Sequence, residues 1–170
     1  MTKLRIFLAA QLLFFTAWGG WLLASRNSAS PEFYLETTPV DPRDLLSGTY
    51  VALSYGISRP QPGICPAILN SGRDFFVKLE NRGRTANTAE GPVPVYEAAG
   101  CAGYPPPNER GWAHADPQPG FPGPAARYGI ERFYLNENDP RKDARSGSVL
   151  AKVKLDRGHN LVLLDLVKKI

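Results

Sequence analysis

The chain opens on an unbroken apolar run. Residues 6–24, IFLAAQLLFFTAWGGWLLA, carry no charge, and Gln11 and Thr16 are the only polar side chains. Apolar residues fall at every angle around such a helix, so no face is reserved for water. At 1.5 Å rise per residue, 19 residues span about 28 Å, close to the ~30 Å hydrocarbon thickness of a bilayer. Trp18 and Trp21 lie towards its C-terminal end, where indoles favour the membrane interface. The pattern predicts a transmembrane anchor at 6–24, preceded by a short n-region at 1–5 and followed by a polar linker, SRNSASP, at 25–31. A cleaved signal peptide is the competing reading. Its apolar core is usually about 7–15 residues and ends in a small-x-small site. Here the run is longer, and LLA (22–24) and NSA (27–29) are poor sites.

Beyond residue 31 the period shortens to that of strands. FYLETT (33–38) alternates weakly. In YVALSYGIS (50–58), Val51, Leu53 and Tyr55 share one face and Tyr50, Ala52 and Ser54 the other. DFFVKLEN (74–81) alternates cleanly, with Phe75, Val77 and Leu79 inward and Lys78 and Glu80 outward. PVPVYEA (92–98) reads as an edge strand, because proline cannot donate to a ladder. RYGIERFYL (127–135) reads as another strand. DPRKDARSG (139–147) suggests one helical turn capped by Asp139. VLAKVKL and LVLLDLVKK flank DRGHN, which predicts a β-hairpin around Gly158. The segment 100–124 is rich in Pro and Gly, holds no strand-length apolar run, and reads as an inserted loop. The expected fold is mainly β: an N-terminal transmembrane helix, then an exported domain at 32–170 built as a small antiparallel β-barrel or sandwich.

Composition changes this picture little. The chain has 170 residues with 16 Gly and 16 Pro, which favours turns over long helices. The net charge of +4 does not imply nucleic-acid binding. Three of the 20 Lys and Arg are Lys3, Arg5 and Arg26, which flank the apolar run; the remainder nearly balance 16 Asp and Glu. No basic stripe interleaved with aromatics appears. Lys3 and Arg5 outweigh Arg26, so the positive-inside rule keeps the N-terminus cytoplasmic and exports the chain from about residue 25 onward. The expected arrangement is single-pass, with the β-domain outside the cytoplasm. Both cysteines, Cys65 and Cys101, fall in the exported part, where a disulfide between them is permitted. Two unrelated thiols remain the alternative.

Recognisable chemistry is sparse. His114 stands near Asp116 in WAHADP and reads as a solvated loop histidine; His159 falls in the hairpin turn and reads as exposed. No spacing points to a cofactor or a metal. One enzyme reading fits an anchored β-domain: a Ser/Lys peptidase with Ser47 or Ser54 as nucleophile and Lys78 as base. Lys78 lies on the polar side of its strand, which argues against a desolvated base.

The most distinctive run is TTPVDPRDLLSGTYVALSYGIS, with RYGIERFYL later in the chain. It resembles the GDYXXLXY family of bacterial proteins, which carry an N-terminal membrane segment. Gly48, Tyr50, Leu53 and Tyr55 match the family motif. Asp41, Arg43 and Asp44 match the run leading into it, and Tyr128 and Glu131 match the later Y-G-I-E stretch. Thr49 stands where the motif has Asp. The family has no assigned activity. The resemblance implies a membrane-anchored envelope accessory or assembly protein of the bacterial inner membrane, its β-domain periplasmic or extracytoplasmic, with the bilayer and another integral-membrane protein as partners. It marks these residues as fold-specifying or binding positions, with no catalytic residue among them.

Overall fold

A computed structural model describes residues 2–26, 31–38, 50–107, 109–120, 123–134 and 147–170. The chain forms two compact units, Met1–Ser30 and Pro31–Ile170.

The first unit is helix α1 (Thr2–Arg26). Successive residues step by about 100° around a helix, so the run Leu12, Leu13, Phe14 and Phe15 coats every side with exposed apolar surface. Thr16 satisfies its hydroxyl inside the helix, donating to the carbonyls of Leu12 and Leu13 at 2.9 and 3.0 Å. The expectation of a spanning segment is not met here: among the described residues, no helix is long and apolar enough to cross a membrane.

The second unit is mainly β. Its strands are β1 (Glu32–Thr38), β2 (Tyr50–Ala52), β3 (Ser54–Tyr55), β4 (Phe75–Glu80), β5 (Thr85–Thr88), β6 (Gly91–Ala102), β7 (Trp112–Gln118), β8 (Ala125–Arg127), β9 (Arg132–Tyr134), β10 (Val149–Leu155) and β11 (Leu161–Lys168). A 3-10 turn covers Gly56–Ser58, and a short helix α2 covers Cys65–Asn70. Among the described residues, the main sheet runs β11-β10-β1-β6-β4-β7-β8, with β3 added to β1 and β5 to β6. It curls into a half-barrel. β2 and β9 form a separate antiparallel pair. The sheet is not wholly antiparallel as expected, because β1 and β6 run parallel through Tyr34–Val95 and Leu35–Tyr96.

Alternation along the strands builds the core. Phe33, Leu35 and Thr37 of β1, Phe75, Val77 and Leu79 of β4, and Val149, Ala151 and Val153 of β10 all turn to the same buried side. Large and small residues face each other across the β4–β7 ladder: Phe75 lies opposite Ala115, and Val77 opposite Ala113. Thr37 is the polar member of this set. Its hydroxyl donates to Val149 O at 2.6 Å and accepts from Gly147 N at 2.8 Å, so no polar atom is left bare.

Four expectations need revision. The segment 100–124 is not simply a loop: it contains the end of β6 and all of β7, a strand paired on both sides. Its inward residues are Ala113 and Ala115, too small to register as an apolar run. Gly111 opens this strand at φ +83, where a Cβ would approach Leu79 O to 3.1 Å, so the close approach needs glycine. Nor is 92–98 only an edge. Val95 N donates to Arg84 O, which places Pro92 and Pro94 at the positions facing β5 that make no ladder bond. The prolines therefore cost nothing, and from Val95 onward β6 lies between β1 and β4. RYGIERFYL is not one strand, since residues 128–131 form a turn between β8 and β9. Finally, α2 is an addition to the expected elements, although Pro66 in its first turn is a helix-start signal. The helical turn expected at 139–147 falls largely outside the described residues.

The hairpin expected at the end of the sequence is present as β10–β11, with a register shift between Lys152 and Val153. A disulfide joins Cys65 of α2 to Cys101 of β6, their Cα atoms 5.1 Å apart. It closes a loop with a sequence separation of 36, worth about 3–4 kcal/mol on a loop-entropy basis. Two measurements test this architecture by chemical denaturation. Reduction is expected to lower stability by about 3 kcal/mol. Leu35→Ala, at a fully buried position on β1, an interior strand, is expected to lower it by about 3 kcal/mol through lost burial and the cavity left behind.

Candidate functional site

The motif stretch bends at its centre. β2 pairs with β9, Tyr50 opposite Tyr134 and Ala52 opposite Arg132. Leu53 N then donates to Glu131 O at 2.8 Å. From Ser54 the chain swings onto β1, with Thr38–Ser54 and Thr37–Tyr55 as partners. Leu53 is thus the pivot between two sheets, and its side chain is buried. The alternation read from sequence holds where it is described: Leu53 and Tyr55 are buried and Ala52 is exposed.

Tyr55 and Tyr128 lock this bend reciprocally. The Tyr55 hydroxyl donates to Ile130 O at 2.6 Å, and the Tyr128 hydroxyl donates to Ile57 O at 2.8 Å. Each ring crosses the seam to pair a main-chain carbonyl of the other segment. Glu131 shapes the second segment: its Oε1 accepts from Tyr128 N at 2.6 Å, and its Oε2 lies 3.8 Å from Arg127 Nε. Gly129, at φ +79, allows the chain to turn between them. Burial pushes both tyrosine hydroxyls far above their usual pKa, and the Glu131 carboxylate pushes further in the same direction. They are neutral donors already engaged, which leaves them no free role in proton transfer near neutral pH.

Of the residues singled out by sequence, the structure therefore brings Leu53, Tyr55, Tyr128 and Glu131 together. Asp41, Arg43, Asp44 and Gly48 lie outside the described residues, as do Ser47 and Thr49. Tyr50 is placed only through its ladder partner Tyr134. Nothing in the sequence pointed to the Ile57 and Ile130 carbonyls, because backbone acceptors carry no residue signature.

Of the residues of the peptidase reading, Ser47 lies outside the described residues, and Lys78 is engaged away from Ser54. Lys78 Nζ donates to Glu109 Oε2 at 3.0 Å and to Arg110 O at 2.8 Å, and sits 5.5 Å above the Trp112 ring. These contacts tie the Lys78 amine to a carboxylate and a main-chain carbonyl, with no serine hydroxyl among its partners. Among the described residues, no lysine or histidine is bonded to the Ser54 hydroxyl.

Two other constellations stand out. A cleft of about 330 Å³ adjoins the bend, lined by Gly56, Ile57, Arg59, Tyr96 and Glu97 among others. Its charges are mostly paired with one another. Arg84 bridges Glu36, at 2.8 Å, and Glu97, and Lys169 Nζ donates to Glu36 Oε1 at 2.8 Å. The bond from Lys169, with help from Arg84, holds the Glu36 carboxyl below its usual range. On the other strand pair, Asp74, His114 and Asp116 bring one donor atom each to within 4.8 Å of one another. His114 is not a solvated loop residue, since it lies half-buried on β7. His159, expected to be exposed, is half-buried as well, its Nδ1 3.1 Å from Trp112 O.

The fold and the bend define a class: a disulfide-clipped β half-barrel, in a chain that begins with an apolar helix, with two separated sequence motifs fastened to each other. The chain belongs to the GDYXXLXY protein family, whose pattern matches residues 12–166. No curated protein and no solved structure matches it.

The seam makes two expectations measurable. Tyr55→Phe and Tyr128→Phe each leave a buried carbonyl unpaired and are expected to cost about 1–2 kcal/mol. In the folded state both pKa values are raised above the unfolded value of about 10. Their contribution is therefore complete below pH ~10 and is lost as pH rises above it, because the unfolded chain releases the protons first. Denaturation from pH 8 to 11 should show the wild type losing more stability than the Tyr55→Phe/Tyr128→Phe double variant. Parallel pH profiles would refute the assignment.

Proposed function

We propose that this protein is a non-enzymatic accessory or assembly factor of the bacterial envelope, held at the inner membrane by α1, with residues 31–170 on the periplasmic side. The observation that carries the non-enzymatic part is the reciprocal seam. The motif residues described there are consumed in holding two segments together, so their chemistry is structural. An assembly factor needs a rigid, specifically shaped surface rather than a reactive group, and the seam supplies rigidity.

Two features support the location. The Cys65–Cys101 bridge suits an oxidising compartment outside the cytoplasm. The all-round apolar surface of α1 needs cover from something other than water. Lipid is the solvent that matches such a surface, and another integral-membrane protein is the natural partner for a domain kept beside it.

In-membrane crosslinking of the full chain, with carbonate extraction afterwards, tests both parts. The protein is expected in the carbonate-resistant fraction, crosslinked to one reproducible integral-membrane partner. Release by carbonate would remove the membrane attachment. Repeated recovery of uncrosslinked protein would remove the assembly role. Ser54→Ala is expected to leave the crosslink and any cellular phenotype unchanged.

A further inference from the structure

We propose that Asp74, His114 and Asp116 form a binding site for a divalent transition-metal ion of the Zn²⁺ class. The site arises from strand register. β4 and β7 are antiparallel, with Phe75 opposite Ala115 and Phe76 opposite His114. Phe75, Ala113 and Ala115 point into the core, so their neighbours Asp74, His114 and Asp116 share the outer face. One step beyond the Phe75–Ala115 pair, the register sets Asp74 against Asp116. Two carboxylates facing each other across a ladder repel, and such pairs are destabilising unless a cation joins them.

Among the described residues, no protein cation fills that role. The half-buried Asp116 carboxylate has no hydrogen bond or ion pair among the described residues. Its ladder partner on β8 is Arg127, whose guanidinium turns instead to Glu131 at 3.8 Å. Among the described residues, Asp74 has only His114, with Nε2 3.8 Å from its Oδ2, too long for a hydrogen bond. The His114 ring is meanwhile steadied from below. Its backbone N donates to His159 O at 2.8 Å, and Phe76 meets the ring edge-on at 5.3 Å between centroids.

One imidazole nitrogen and two carboxylate oxygens make a donor set suited to Zn²⁺, and less to Ca²⁺, which prefers oxygen alone. Donors bound at ~2.1 Å around a tetrahedral ion lie roughly 3.4 Å apart. The three atoms, now within 4.8 Å, need a small inward rotation. Asp74 is free to make it, with its side chain 69% exposed. Three protein donors leave a tetrahedral ion one position for water or for a group from a partner. Cys65 and Cys101 do not compete, because they are joined to each other.

The test is calorimetric titration of Zn²⁺ into the chelator-treated full chain in detergent, with Ca²⁺ as comparison. One saturable Zn²⁺ site is expected. His114→Gln and Asp116→Asn should each weaken it at least tenfold, at or beyond the ~10–100-fold loss seen on removal of a merely supporting group. His159→Gln, which changes the other histidine of the chain, should leave the affinity unchanged. Asp74→Asn alters an exposed side chain, so it reports on binding even if a β7 variant fails to fold. Absence of saturable Zn²⁺ binding would overturn the site. So would Zn²⁺ binding that survives His114→Gln and Asp74→Asn, or Ca²⁺ binding of equal strength that ignores His114.

Discussion

A carbonyl buried away from water must be paired, and at the bend of this fold side chains do what the backbone does not. Where the chain leaves β2 and swings onto β1, the ladder stops, and Ile57 O and Ile130 O are left facing the interior. Two tyrosine hydroxyls supply the missing donors, each reaching from one segment to the other. Only a side chain with a long apolar body and a polar tip can cross that distance and still be buried. The requirement fixes the relation between residues 53–58 and 128–131, about seventy positions apart. It also fixes β3 on β1, because Tyr55 is at once a ladder partner of Thr37 and a donor to Ile130.

Most of the strands were legible because their inward residues are large. Phe75, Val77 and Leu79 announce β4, and the C-terminal hairpin is announced by two apolar runs around Gly158. β7 was not legible because its inward side is made of Ala113 and Ala115, sized to fit beneath Phe75 and Val77 of the neighbouring strand. Periodicity reads one strand at a time, whereas packing is decided between strands. The prolines of β6 misled for a related reason. Whether proline breaks a ladder depends on which ladder position it occupies, and that depends on the register against β5. Parallel pairing of β1 with β6 is likewise a property of the path, which local pattern does not encode.

The candidate site was legible in its residues and illegible in its meaning. Tyr55, Tyr128 and Glu131 were marked by their resemblance to a family pattern, yet a motif of spaced tyrosines looks the same whether it binds a ligand or a carbonyl. In the fold Tyr55 and Tyr128 are buried, each on a main-chain carbonyl. The Glu36–Arg84–Glu97 network and the opposition of Asp74 to Asp116 left no trace in sequence, since each joins residues on different strands.

The position of β1 bears on how the domain comes to fold. It is the first strand of the sheet, yet one of its neighbours is β10, and Thr37 is tied to Val149 across 112 residues. Contacts so distant along the chain are slow to form, because a long loop must close before they reward it. During synthesis from the N-terminal end, β1 emerges early and its edge waits for β10 to arrive. For that interval an apolar strand stands open to pairing with the wrong chain, a hazard of incomplete sheets. Anything that keeps copies of the chain apart during that interval lessens the hazard, so the conditions of its synthesis bear on the yield of this domain as much as its final stability does.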